Sequence, residues 1–548
     1  MNMNIKTIFS ISLLAAAVTA CDGGGVTLAP STTVTNSNNT TNDGGGNSGT
    51  TNPCASYTSS GQTLQGTFNS GNCTYSATFV ADTRPLTSDL VINGLPDDGL
   101  HIFEDSLFVG ENVNANAAAQ GVRIPQDGEG PTLTIGPGAK LAFFNSQDYV
   151  VINRGSRIIA EGTRDRPIIF SGVTDLRDGQ ATLSDRGLWG GVQINGNGLT
   201  NKCTDADRQS TSNNPHNCHV AAEGKPNSYG GNNNSENSGV LRYVQIRHAG
   251  FEVVDGDEVN GLTFNAVGDG TTVEYVQTYT TLDDGFEMFG GAVDLKYIVG
   301  VNVGDDAFDY SEGWAGDAQF ALFIHTSGGN RCIEADNTGG SQPDDIAPYT
   351  KGRVSNMTCI TSNVDTNEGT APTSKGDSEG PLYREGTYFE MYNSIITSNA
   401  DGMASNECME VTSTQTIAGI NSGISAASGN VVTCTEPLKA DAGFDIRSWW
   451  LNSGNAVVDA PANLPANVIE GLNSSNPTAY VTAANLTDAN GAAINVNVFD
   501  VTRLNDNFDA ASAPALGGSG SSSFFKSVDF IGAVKEGEDW VSGWTTGL

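Results

Sequence analysis

The chain has 548 residues, 62 acidic against 26 basic, and a formal net charge of −36. That length allows a large core or two to three domains, and the charge repels a phosphate backbone, which argues against nucleic acid as a partner. Cations or cation-bearing ligands suit it better, unless the acidity serves only to keep an exported chain soluble.

The first twenty residues read as a secretory signal. Lys6 supplies the positive charge, Ile8 to Val18 an apolar run, and small residues lead into Cys21. Val18-Thr19-Ala20-Cys21 resembles the lipobox of bacterial lipoproteins. The resemblance implies cleavage before Cys21 and lipidation of its thiol by acyl chains such as palmitate. Each buried methylene then adds about 0.8 kcal/mol of membrane affinity, so several chains anchor firmly. The alternative is a plain signal peptide in which Cys21 is incidental. The expected address is the cell envelope, at the outer membrane. Asp22 resembles the inner-membrane retention signal of enteric bacteria and leaves the inner membrane open. Residues 21–52 are nearly all Gly, Thr, Asn, Ser and Asp. Such a stretch buries too little apolar surface to fold and reads as a disordered tether. No later run is long and apolar enough to span a membrane.

Eight further cysteines fall in near pairs: Cys54 and Cys73, Cys203 and Cys218, Cys332 and Cys359, Cys408 and Cys434. An even number in an exported chain points to disulfides, with 105 connectivities open to eight cysteines. Sequential pairing is the simplest, each bridge closing one local loop worth about 3 kcal/mol in the chain-entropy model. A metal site at Cys203, His216, Cys218 and His219 is the alternative, although the spacing matches no standard zinc module.

Short apolar strands then recur between Gly, Asn and Asp, as at Thr132–Ile135, Val150–Ile152, Pro167–Phe170, Gly191–Ile194 and Leu241–Ile246. Their period-two alternation predicts strands with one inward face. An internal repeat selects the architecture. Asp283-Asp284-Gly285-Phe286-Glu287 matches Asp305-Asp306-Ala307-Phe308-Asp309, an offset of 305 − 283 = 22 residues. That period is too short for a propeller blade and suits one coil of a parallel solenoid, with coils about 4.8 Å apart.

Several of these segments resemble right-handed parallel β-helix repeat lipoproteins of Gram-negative bacteria. They are Gly155–Thr163 leading to Pro167–Phe170, Trp189–Ile194, Tyr243–Arg247, and the tail Val528–Ala533 through Asp539-Trp540 to Gly543-Trp544-Thr545. The resemblance implies an all-β, right-handed parallel β-helix but says little about function, because the fold hosts many activities. The expected division is a signal over 1–20, a tether over 21–52, an N-terminal cap over 53–128 and the β-helix over 129–440. A C-terminal capping region over 441–548 follows, with Trp449, Trp450, Trp540 and Trp544 as packing anchors.

The acidic repeat is the candidate site. Stacking is expected to set Asp283, Asp284 and Glu287 beside Asp305, Asp306 and Asp309, with Phe286 and Phe308 turned inward. Asp255, Asp257, Glu258, Glu312 and Asp317 are candidates to extend it. Like charges about 5 Å apart repel by roughly 3 kcal/mol at an effective dielectric of 20, so a cation or raised pKa values must relieve them. Oxygen ligands suit calcium, although no EF-hand or repeated RTX-type motif is present. In the competing reading these are turn residues bonding local backbone. Paired carboxylates also fit a calcium-dependent glycoside hydrolase or lyase, in which Asp284, Asp306 and His325 would be catalytic. The nearest basic residues for a lyase are Arg247, His248 and Lys296. Gly376-Asp377-Ser378-Glu379-Gly380 fits G-x-S-x-G but lacks the strand-turn-helix that presents a nucleophile. Tyr310, Trp314 and Tyr383 are either a sugar-stacking platform or core cover. Three functional classes follow: a surface-anchored module binding a glycan or other small ligand, with an outer-membrane transporter as a candidate partner; a polysaccharide-active enzyme; and a structural or adhesive protein.

Overall fold

A computed structural model describes residues 52–254, 257–326, 329–339, 343–362, 376–398, 407–458, 468, 472, 476–482, 486, 492–506 and 523–548. Cys21, Asp22, the signal, nearly all of the tether and Asp255 lie outside these residues.

The alternating strands stack in parallel, coil upon coil, from Cys73 to Val457. Stacking therefore already operates within the residues read as an N-terminal cap. The middle coils present three strand faces. One long strand serves the first two, as in Gly239–Arg247, Thr272–Tyr279, Asp294–Val301 and Asp317–Ile324. Each bends at a residue in the left-handed region: Tyr243 (φ 51°), Tyr275 (57°), Tyr297 (60°) and Phe320 (63°). A left-handed non-glycine residue costs about 1–2 kcal/mol. The bends offset that cost by stacking their rings in one column, with centroids 4.5, 4.5 and 4.9 Å apart. The third face consists of short strands, among them Leu262–Asn265, Phe286–Phe289 and Phe308–Ser311. Phe286 pairs with Phe308 and Glu287 with Asp309, so the 22-residue offset is one coil.

Inward residues of all three faces form one continuous core, including Leu241, Val244, Phe264, Phe286 and Phe308. Tyr310, Trp314 and Tyr383 are in it with no exposure, so they are core and not a sugar platform. Trp450, on the helix Ile446–Asn452, is buried in the same core, with Trp449 packed against it.

The second face is apolar on its outer side as well, which needs a cover. The C-terminal segment supplies it. Val299, Val301, Leu322 and Ile360 pack against Phe530, Val534, Trp540, Val541 and Trp544 in a second core. Trp544 meets Tyr243 and Tyr275 edge-on, and Trp540 packs against Tyr297. These two tryptophans therefore sit on the flank of the middle coils, not at the far end. Side-chain amides then hold the segment as a neighbouring strand would. Gln277 accepts from Thr546 N (2.9 Å) and donates to its carbonyl (2.7 Å). Gln319 does the same with Lys526 (2.8 and 2.9 Å), and Asn393 with Phe499 (2.7 and 2.9 Å).

Four disulfides join Cys54 to Cys73, Cys203 to Cys218, Cys332 to Cys359 and Cys408 to Cys434, each closing a local loop. The zinc reading fails here, because both candidate thiols are oxidised. His216 bonds Asn197 (3.1 Å) and His219 bonds Arg154 (3.0 Å) instead.

If the C-terminal segment is an integral wall, Trp544→Ala should cost about 3–5 kcal/mol in urea unfolding. Gln277→Leu, which strands two backbone groups, should cost about 1–3 kcal/mol. A segment that only drapes the surface predicts losses below about 0.5 kcal/mol for both.

Candidate functional site: a carboxylate strip on the third face

At the corner before the third face, one side chain per coil accepts the backbone N–H of the next coil. Asn260 Oδ1 accepts from Asp284 N (3.1 Å), Asp284 Oδ1 from Asp306 N (2.9 Å), and Asp306 Oδ1 from Arg331 N (2.6 Å). The backbone-bonding role of the acidic repeat is therefore real, but it uses only one oxygen of each carboxylate. Three residues further on, Glu287, Asp309 and Glu334 stand in register along the third face.

Two groups of carboxylates converge at this corner. Asp283, Asp284 and Asp305 offer oxygens within 4.8 Å of one another, and so do Asp284, Asp306 and Asp309. Asp284 belongs to both. Glu287 belongs to neither and accepts instead from Asn260 Nδ2. Asp283, Asp284, Glu287 and Asp306 are all buried. Burial first, and neighbouring carboxylates second, hold Asp284, Glu287, Asp306 and Asp309 well above the usual carboxylate range. Burial raises Glu334 to about 7, although Arg384 opposes it.

The strip continues beyond the residues expected from sequence. Its corner column runs on through Arg331, Glu379 and Glu407, and its strand column through Leu382, Glu410 and Lys439. This far half carries its own cations. Arg331 pairs with Glu379 and with Glu410 (3.0 Å). Arg384 pairs with Glu334 and with Asp336 (2.8 Å), and Lys439 with Glu407 (2.7 Å) and Glu410 (3.3 Å). Burial first, and its contact with Glu407 second, push Glu379 up to about 9. In the near half, no Lys or Arg among the described residues pairs with Asp284, Glu287, Asp306 or Asp309.

The other candidates are elsewhere. His325 is buried, with Nδ1 2.8 Å from Ser378 Oγ, and joins neither carboxylate group. Ser378 is itself fully buried and accepts from Ser362 N (2.9 Å), so the G-x-S-x-G serine is a packing residue. Glu312 does not extend the strip; it accepts from Tyr229 (2.7 Å) and Thr200 (3.1 Å). Asp317 is held by Arg353 through two bonds of 2.6 and 2.7 Å, at the start of a first-face strand. Asp257 and Glu258 lie on a separate antiparallel hairpin. Arg247 reaches Asp175 (3.7 Å), His248 bonds Asp185 O (2.7 Å), and Lys296 bonds Phe524 O beneath the C-terminal segment.

The parallel β-helix has a counterpart among known families. The family model for the pectate-lyase-like β-helix domain matches residues 123–449, more than half of the chain. The chain belongs to the pectate-lyase-like β-helix family. No curated protein and no solved structure matches it. Membership of this β-helix family fits a polysaccharide-active enzyme or a binding or surface module equally.

The raised carboxyls fix the sign of the pH dependence. The folded chain keeps protons that the unfolded chain releases near pH 4, so this stability is present at low pH. It is lost as pH rises through about 7, where Glu334 ionises, and beyond. In chelator, the melting temperature should fall between pH 5 and pH 7.5. A melting temperature that rises across that interval would show that the strip does not govern the response.

Proposed function

We propose that this chain is an envelope-anchored binding module that holds a calcium ion in the near half of its acidic strip and there engages a glycan or other hydroxyl-rich small ligand. The observation that carries this reading is the pair of largely buried carboxylate groups that share Asp284, in one of which Asp284, Asp306 and Asp309 pair with no Lys or Arg among the described residues. Carboxylate oxygens are hard donors, and calcium takes six to eight oxygens. Asp284, Asp306 and Asp309, or Asp283, Asp284 and Asp305, would hold the ion. Three side chains leave coordination positions for water or for ligand hydroxyls. A bound cation would supply the charge that Arg331, Arg384 and Lys439 supply further along.

Calcium should therefore raise the melting temperature at pH 7.5. A hundredfold excess over Kd corresponds to about 2.7 kcal/mol. Asp284→Asn combined with Asp306→Asn should remove that response while leaving stability in chelator equal or higher, since it removes repulsion. Loss of stability in chelator, with no calcium response in the parent, would reduce both aspartates to turn residues.

Family membership fits a second reading as well, a polysaccharide hydrolase or lyase using Asp284 and Asp306. One carboxyl held protonated can serve as an acid, but a base must stay ionised. Arg247, His248 and Lys296 point to other partners. Glycan cleavage that vanishes in the double variant would establish the enzyme; binding without cleavage would establish the module.

We also propose that Cys21 carries the lipid anchor and that the body delivers its ligand to an outer-membrane transporter. Cys21→Ser should move the protein into soluble fractions with an unchanged melt; continued membrane partitioning would rule out this anchor.

A further inference from the structure

Arg154 follows the strand Tyr149–Ile152 and is 3 % exposed. Its Nη1 donates to Cys218 O (2.9 Å) and Gly230 O (2.8 Å), and its Nη2 to Val113 O (2.5 Å) and His219 Nδ1 (3.0 Å). All four acceptors are neutral. Among the described residues no carboxylate pairs with this guanidinium, and Nε makes no hydrogen bond. The buried Arg353 and the partly buried Arg331 and Arg384 each meet carboxylates. A buried charge without a counter-charge is costly, and it stands out in a chain of net charge −36. The field is felt locally: burial first, and the Arg154 charge second, hold His216 and His219 neutral, at about 3 and about 4.

Arg154 also lines a cavity of about 280 Å³, shared with Thr87, Gly110, Glu111, Gly130 and Ser156. That is room for several waters at about 30 Å³ each. The Ser156 hydroxyl is buried in the wall without a hydrogen-bond partner among the described residues. Two glycines keep its surroundings open. A Cβ at Gly110 would come within 2.1 Å of Ser156 Oγ, and one at Gly130 within 2.4 Å. Glu111 is exposed on the wall and opposes a second negative charge on any ligand.

We propose that this cavity binds a small carboxylate as a monoanion, with the Arg154 guanidinium as its counter-charge and the Ser156 hydroxyl as a hydrogen-bond donor. The site is separate from the acidic strip and does not depend on calcium.

The test uses the full chain, with sodium acetate as the probe, sodium chloride at matched ionic strength as the control, and phosphate at pH 7.5 as the dianion arm. Acetate should raise the melting temperature and bind saturably in calorimetry; chloride should do neither, and phosphate should bind more weakly than acetate. Glu111→Gln should tighten acetate binding about twofold to fivefold, the range of an exposed charge pair. Gly130→Ala should weaken it at least tenfold by crowding Ser156. Arg154→Met should abolish it; if that variant does not fold, the Glu111 and Gly130 variants decide. An acetate effect matched by chloride, tighter binding of phosphate, or an acetate response unchanged in both Glu111→Gln and Gly130→Ala would overturn the proposal.

Discussion

Register is the constraint on which the rest of this molecule depends. Coils stacked at the strand spacing set each residue beside its counterpart on the next coil, so every column must tolerate its own repetition. Apolar and aromatic columns do this readily, as the stack from Tyr243 to Phe320 illustrates. Amide columns do it by turning outward and clasping the C-terminal backbone, as Gln277 and Gln319 do. Carboxylate columns cannot do it unaided, because repulsion is repeated at every step. The strip from Asp284 to Glu410 therefore concentrates an electrostatic problem that the fold must answer.

The two halves of the strip answer it differently. Arg331, Arg384 and Lys439 neutralise the far half, and the raised pKa of Glu379 adds to the relief. The near half relies on raised pKa values and on backbone N–H groups that reach one oxygen of Asp284 and Asp306. The cysteines at Cys332 and Cys408 follow directly after Arg331 and Glu407 in the chain. Their bridges to Cys359 and Cys434 tie the corner of the third face to the second face. The charged columns are thus held where covalent links fix the coil.

How much of this could be read from sequence depended on coil length. Asp283–Glu287 and Asp305–Asp309 were recognisable as neighbours because that coil carries no insertion. Beyond them the corner residues are spaced 331 − 306 = 25, 379 − 331 = 48 and 407 − 379 = 28 apart. Such unequal steps hide a column from any fixed-period reading, and Glu334, Glu379, Glu407 and Glu410 went unseen for that reason. The disulfides were legible because each is local. Trp540 and Trp544 were legible as anchors, but their partners were not. Gln277 and Thr546 are separated by 269 residues, and no local pattern encodes such a pairing. Arg154 carries no signal in the sequence, because a lone arginine in a strand-rich chain looks like surface.

The clasped C-terminal segment changes how the array holds together. A solenoid whose coils touch only their neighbours behaves as a one-dimensional chain, able to fray from an end one repeat at a time. Here Trp544, Thr546, Trp540 and Lys526 bind coils spanning Tyr243 to Phe320. Those coils share one clamp, so none can open without loosening the others. The middle of the molecule, which carries both groups of carboxylates, is thereby converted from a stack of semi-independent units into a single cooperative block.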